Sequence, residues 1–385
     1  MHWTEPSRAM RWAAGAALAL ALGAAAVAAA VADNGPKTAT VSVFASGLAN
    51  PRGLAFGPGG DLYVAEGGDP SGNTLSSAGV CPQVGEVGPY TGGFTSRISR
   101  IDPQGNRTTV VGHLPSSSTS PQSGSLTSGV AAVAFLHDRL YGIEAGAGCS
   151  HGLAGTHNSL FRVNDDGTTT EVANLTAFQV AHPVAHPDCC DFEPDGTWYS
   201  MVAAKNALYA VEPNHGEVDR ISPEGSVERV VDVSASEDHV VPTSLSAHGN
   251  FYFGNLGTFP VAPGTEKIWK LTPSGGLSVV ASGLTTVLGT AWNCGHLFAL
   301  ESVTAPGFPI PGVNPAGTGK VVRIEHDGSV ATVVDGLTVP TAMTFGPGDD
   351  LFISNLGFGA PAGAGQIVRA HLDKDTLCGG DGEDE

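Results

Sequence analysis

The chain has 385 residues, with 53 Gly and 26 Pro and no collagen-like period, a composition of many short strands and turns rather than a fibre. Asp and Glu outnumber Lys and Arg 37 to 18, and the net charge of −19 repels phosphate backbones, so nucleic acid is set aside as a partner. A chain of this length outgrows a usual single core unless repetition extends the core sideways.

In chain order, residues 1–32 read as a secretory signal peptide. Arg8 and Arg11 form the positive start, Trp12 to Val31 the apolar stretch, and Ala30-Val31-Ala32 a small-x-small cleavage site before Asp33. The alternative is an uncleaved anchor, since about 20 apolar residues can just span a bilayer. The small-residue end fits cleavage better, and no Cys follows for lipid attachment. The expectation is a secreted, extracellular protein with no stable membrane anchor after cleavage.

Two signatures then alternate, six times each. The first is a short apolar-aromatic run closed by a polar residue: Leu62–Glu66, Leu140–Glu144, Leu208–Glu212, Phe251–Asn255, Leu297–Glu301 and Leu351–Asn355. Such runs, bounded by turn signals, are strands buried on both faces. The second is a strand with one basic residue near its end, at Arg100, Arg162, Arg220, Lys270, Arg323 and Arg369. Five of these run into turns ending at Gly105, Gly167, Gly225, Gly275 and Gly328, where glycine supplies the positive φ of a tight hairpin. A strand precedes each first signature (Gly53–Phe56, Ala342–Phe345) and a fourth follows each turn (Thr108–Gly112, Ser329–Val334).

Four antiparallel strands in roughly 50 to 60 residues make a propeller blade. The fold class is therefore all-β, a six-bladed β-propeller. Its sixth unit stops near Arg369, and Thr40–Phe44 at the other end supplies the missing strand, closing the ring and removing open sheet edges. Domain bounds follow: signal peptide 1–32, propeller 33–378, and an acidic disordered tail 379–385.

The opening Gly47–Phe56 followed by Gly60–Glu66 resembles the first blade of NHL-type six-bladed propellers. With Ser96–Asp102 and Leu175–Phe178, it is similar to the ScyD/ScyE family of secreted bacterial propellers, first named from scytonemin-pigment gene clusters. That resemblance implies the fold and no particular activity.

In a propeller the loops after second and fourth strands share the top face. Six Cys in the exported part imply disulfides. Cys294 and Cys378 fall on the bottom of neighbouring blades, and a bridge between them is expected. Cys81 and Cys149 are top-face, as are Cys189 and Cys190, and two bridges joining the first pair to the second are expected. A metal reading of the same face would use Cys149, His151, His157, His182, His186, Cys189 and Cys190. The spacing lacks the paired C-x₂-C of structural zinc folds and Pro bars a helix, so disulfides with exposed histidines are preferred.

The polar residues closing the second strands, Glu66, Glu144, Glu212, Asn255, Glu301 and Asn355, form a ring at one level around the top mouth. Converging oxygens suit Ca²⁺, with Glu144, Glu212 and Glu301 as the candidate ligands. Similar six-bladed propellers of the gluconolactonase/regucalcin type hold a divalent cation in that region. The competing reading is that each polar end caps its strand by accepting loop N–H groups. For the six basic residues the default is blade-to-blade ion pairing or stem packing.

No G-x-S-x-G elbow or H-E-x-x-H is present, and no catalytic set is recognisable. The preferred function is a monomeric binding or scaffold module using the long top loops 67–94, 302–318 and 356–365, with a small molecule, glycan or protein as ligand. The alternative is a cation-dependent lactonase-like hydrolase or a quinoprotein-like oxidoreductase at the channel mouth, for which His157 is the nearest quinone-site candidate.

Overall fold

The computed structural model describes residues 39–85, 87–188, 192–309 and 312–379. The leader 1–32, the tail after Gly379, and Cys189 and Cys190 lie outside the described residues.

The chain enters along β1 (Thr40–Leu48). Blade 1 is β2 (Pro51–Phe56), β3 (Leu62–Glu66), β4 (Thr91–Ile101) and β5 (Arg107–Ser118), with the two-residue β6 (Thr127–Ser128) on its edge. Blade 2 is β7 (Val130–Leu136), β8 (Arg139–Glu144), β9 (Ser159–Val163) and β10 (Thr169–Asn174). Blade 3 is β11 (Ser200–Ala204), β12 (Ala207–Glu212), β13 (Glu217–Ile221) and β14 (Val227–Asp232). Blade 4 is β15 (Ser246–His248), β16 (Asn250–Gly254), β17 (Glu266–Leu271) and β18 (Leu277–Leu284). Blade 5 is β19 (Val287–Asn293), β20 (His296–Glu301), β21 (Gly319–Ile324) and β22 (Val330–Leu337). Blade 6 is β23 (Ala342–Phe345), β24 (Leu351–Asn355) and β25 (Gly365–His371), completed by β1. Three short helices punctuate the ring: α1 (Leu175–Ala181), α2 (Ser234–Glu237) and α3 (Lys374–Cys378).

The fold is the six-bladed propeller expected from the repeats. First strands of consecutive blades touch all the way round, β2 against both β7 and β23. β1 pairs antiparallel with β25, from Thr40 opposite His371 to Leu48 opposite Gly365. Phe44 of β1 meets the Phe352 ring edge-on at 5.0 Å, and Phe56 of blade 1 meets the same ring at 5.1 Å. The chain's beginning is thus locked to its end through an aromatic cluster.

The second strands are buried because each is covered on both faces by neighbouring blades; every residue of β12 and β20 is buried. All five turn glycines have positive φ, from 80° to 94°. Two of them also rest on the blade before: a Cβ at Gly105 would lie 2.3 Å from the Phe44 carbonyl, and one at Gly225 2.2 Å from that of Val172. Only glycine permits that approach.

Each of the six basic residues lies directly across from the aromatic residue of its own second strand: Arg100 from Tyr63, Arg162 from Tyr141, Arg220 from Tyr209, Lys270 from Tyr252, Arg323 from Phe298 and Arg369 from Phe352. Their carboxylate partners are in the same blade, Arg100 with Asp61, Arg220 with Glu228 and Arg369 with Asp350. This corrects the blade-to-blade ion-pair half of the expectation and leaves stem packing: cross-strand register sets each basic residue opposite an aromatic residue of its own blade, and the Arg369 guanidinium lies 6.0 Å from the Phe352 ring.

Two disulfides occur among the described residues. Cys294–Cys378 joins the β19–β20 turn to the end of α3 with Cα atoms 5.1 Å apart, as expected. His296 Nε2 also faces the Cys378 carbonyl at 2.8 Å, and Arg323 donates to the Asp375 and Thr376 carbonyls, so α3 is held at three points. Cys81 and Cys149 are bonded to each other, Cα atoms 6.2 Å apart, which overturns the expected pairing of each with Cys189 or Cys190. The reason is proximity: both sit in second-to-third-strand loops, which lie side by side on adjacent blades. No described helix is long and apolar enough to cross a membrane.

Candidate functional site

The second strands run toward the top face, and their closing residues sit at one level, all buried. Their oxygens do not converge on the axis. Glu66 accepts from the Ala49 amide at 2.6 Å, Glu301 from that of Thr285 at 2.7 Å, and Asn355 from that of Thr338 at 2.8 Å. Ala49, Thr285 and Thr338 each directly follow the fourth strand of the preceding blade. Glu212 accepts from Thr197 at 2.7 Å in the connection entering blade 3, and from His215 at 2.6 Å. Asn255 donates to Val240 in the connection entering blade 4 and accepts from Lys267 at 2.9 Å. Five of the six therefore clamp the incoming blade-to-blade connection, the capping arrangement weighed against Ca²⁺ above.

Cations of the protein already balance several of these carboxylates. Arg107 lies 3.1 Å and Arg97 3.5 Å from Glu66, and Lys320 lies 3.1 Å from Glu301. Among the described residues no three His, Cys, Asp or Glu side chains gather as a metal-ligand group.

Glu144 is the exception. Its carboxyl accepts from the amides that directly follow it, Gly146 at 3.2 Å and Ala145, and not from the incoming connection. Burial pushes its pKa up to about 8, against a smaller opposing pull from neighbouring amides and His151. Burial thus favours its neutral form.

The histidines of the metal reading are dispersed. His157 faces Glu171 at 2.6 Å at the surface, His182 stacks on Phe178, and His186 faces the Ser234 carbonyl at 3.0 Å. His151 is fully buried: Nδ1 faces the Ala147 carbonyl at 2.7 Å and Nε2 the Glu193 carboxylate at 2.9 Å. Both ring nitrogens face acceptors, so both carry protons. Burial opposes that charge, yet the Glu193 contact outweighs it and raises the His151 pKa. Glu193 also accepts from Tyr90 at 2.6 Å and from the Thr197 hydroxyl, and these donors with His151 hold its carboxyl below the ordinary range despite burial. Tyr90, His151 and Glu193 come from blade 1's loop, blade 2's loop and the connection to blade 3. With Cys81–Cys149, this buried ion pair stitches the tops of three blades into one platform.

Sequence reasoning missed the groups that do line the axis. Counting back four residues from Phe56, Phe135, Ala203, Ala247, Trp292 and Phe345, which lie opposite the start of each second strand, gives one layer: Arg52, Ala131, Tyr199, Thr243, Leu288 and Thr341. Tyr199 of blade 3 donates to the Thr341 carbonyl of blade 6 at 2.9 Å, spanning opposite blades and closing the channel. Arg52 donates to the carbonyls of Gly357 in blade 6 and of Thr127 on the edge strand β6 of its own blade, and lies 5.7 Å from the Phe358 ring. A cavity of about 50 Å³ remains, lined by Arg52, Ser128, Gly129, Ala131, Ala145 and the 197–199 segment.

No protein-family description and no curated protein matches the chain. Among solved structures it is similar to a gluconolactonase from Xanthomonas campestris, at 13% identity over 87% of this chain and 90% of that one, with a TM-score of 0.50. It is also similar to the PQQ-bound aldose sugar dehydrogenase of Streptomyces coelicolor, at 15% identity over 88% and 99%, with a TM-score of 0.53. At such identities the likeness is one of fold: this is the architecture of gluconolactonase-like and NHL-type six-bladed propellers. The axial layer does not fit a quinone cofactor, because Tyr199 bridges the channel and the cavity of about 50 Å³ is several times smaller than an organic cofactor needs.

Proposed function

We propose that this chain is an exported binding propeller whose ligand, a glycan, small molecule or protein, is engaged by the top-face loops of blades 1 to 3. The observation that carries this reading is the pairing of a rigid platform with exposed apolar side chains. Leu75, Val80 and Phe94, respectively 49%, 69% and 46% exposed, all belong to the blade 1 loop and the hairpin strand it leans on. Leu75 and Gly92 exchange both backbone hydrogen bonds, at 2.9 and 2.8 Å, so the loop is held against that strand. Ser77 donates to the Cys149 carbonyl next to the Cys81–Cys149 bridge, fastening the loop to blade 2. Apolar side chains held rigidly in water mark recognition surfaces. Export is supported by the two disulfides, which persist in oxidising compartments.

The rival reading, a lactonase-like or dehydrogenase-like catalyst, draws on the fold likeness and on Glu144 as a buried acid with a raised pKa. Fold likeness is an analogy and does not place a substrate. Binding of an oligosaccharide and peptide panel to the immobilised protein, compared with Leu75→Ser and Phe94→Ser variants, tests the proposal. The expected result is a ligand whose affinity falls at least tenfold in those variants and is unchanged in Glu144→Gln. Turnover of aldonolactones with Ca²⁺, or of aldoses with quinone, abolished by Glu144→Gln or Glu212→Gln, would overturn it.

A further inference from the structure

Arg52 is the one charged side chain in the axial layer of six, beside Ala131, Tyr199, Thr243, Leu288 and Thr341. It is 8% exposed, and among the described residues it makes no ion pair with a carboxylate. Its guanidinium gives one hydrogen bond to each of two carbonyl oxygens, which leaves further donors of the fork. Two neutral acceptors solvate a cation without neutralising it, and an uncompensated buried charge is costly. The ring carboxylates do not serve Arg52: Glu66, Glu212 and Glu301 are turned to the blade connections, and Glu144 to the Gly146 amide. The half-buried Arg97 and Arg107, by contrast, both have the Glu66 carboxylate.

The cavity of about 50 Å³ lies directly against this cation. Its polar lining includes Ser128, whose hydroxyl makes no hydrogen bond among the described residues, and Thr197 and Tyr199, whose hydroxyls donate to the Glu193 carboxylate and the Thr341 carbonyl; the rest is Gly129, Ala131, Ala145 and Trp198. That lining offers positive charge and a donor but no negative group. The volume admits one small ion or the head of a carboxylate and excludes a sugar ring, which needs a pocket several times larger.

We propose that the axial cavity at Arg52 is a binding site for a small monovalent anion, a halide or a carboxylate head of formate size, held by the guanidinium and the Ser128 hydroxyl. The anion completes the charge balance at the top of the channel and makes closure of the mouth by Tyr199 and Arg52 a ligand-dependent feature. This site is independent of the top-face loops, so its failure leaves the binding reading above untouched.

The test is thermal unfolding in sodium gluconate at constant ionic strength, with gluconate replaced stepwise by chloride, bromide, formate or acetate. A saturable rise in Tm of about 3 °C or more is expected with the halides and formate, and less with the larger acetate. Arg52→Gln abolishes the rise. Ser128→Ala, which removes one hydroxyl oxygen that makes no hydrogen bond among the described residues, raises the half-saturating concentration at least threefold. Crystals grown in bromide should show an anomalous peak against Arg52. A Tm that ignores the anion, an equal rise in Ser128→Ala and Arg52→Gln, or a cavity holding water only in bromide would each overturn the proposal.

Discussion

Glu144 shows how one position in a repeat takes on different chemistry from its equivalents. Glu66, Glu212 and Glu301 each accept an amide from the incoming connection, and Glu144 does not. Desolvation then dominates, and the carboxyl rises from an ordinary 4.5 to about 8. A raised folded-state pKa means that folding takes up a proton between those two values. Stability from this group is therefore full below about pH 4.5 and is lost as the pH climbs toward 8. Glu144→Gln keeps the shape and stays neutral, so it should gain on the wild type between pH 5 and pH 8 by on the order of 1–3 kcal/mol in urea unfolding. An offset that does not change with pH would show that the carboxyl is ionised throughout. The position of Glu144 at a strand end was legible in the repeat, but its lack of an amide from the incoming connection was not, because that depends on where a loop outside the repeat passes. Arg52 was hidden in the same way. It stands inside the opening motif Asn50-Pro51-Arg52-Gly53, yet only the register of β2 against its neighbours shows it facing the axis rather than a sheet face. An Arg in a set of first strands that otherwise carries no Lys, Arg, Asp or Glu was the available signal.

At the scale of elements, the strands were readable because their runs are short, apolar and evenly repeated, whereas the connections were not. The β4–β5 hairpin runs well past the expected fourth strand, to Ser118, and its extension carries Phe94. The Cys81–Cys149 bridge joins two such extensions, which is why sorting loops by face identified the right side of the molecule but the wrong partners. β1 is the element on which the ring depends. Leu48 is fully buried among Leu54, Leu62, Val64 and Ile367, so it belongs to the cores of blades 1 and 6 at once. Leu48→Ala should cost about 2–4 kcal/mol of unfolding free energy. Removal of β1 should expose the β25 edge and produce strand-mediated oligomers, read by light scattering. A monomeric, fully stable protein lacking residues 40–48 would mean that blade 6 does not need its fourth strand.

For the whole molecule, three layers of interaction divide the labour. The bottom is fastened by turn glycines resting on neighbouring carbonyls and by α3 held through Cys294–Cys378. The middle is the apolar packing between blades. The top is clamped by carboxylates and amides that accept the N–H groups of the connections, leaving the axis to Arg52 and Tyr199. Five of the six ring residues thus clamp connections, and the binding reading proposed above assigns recognition to the loops above them. The most direct measurement of that division is thermal unfolding of the wild type, Glu212→Gln and Glu301→Gln, each in a chelator and in added Ca²⁺. A clamp predicts that both variants lose about 1–3 kcal/mol by the same amount in either condition, with the wild type indifferent to the ion. A wild type stabilised by Ca²⁺, with that gain missing from both variants, would contradict it.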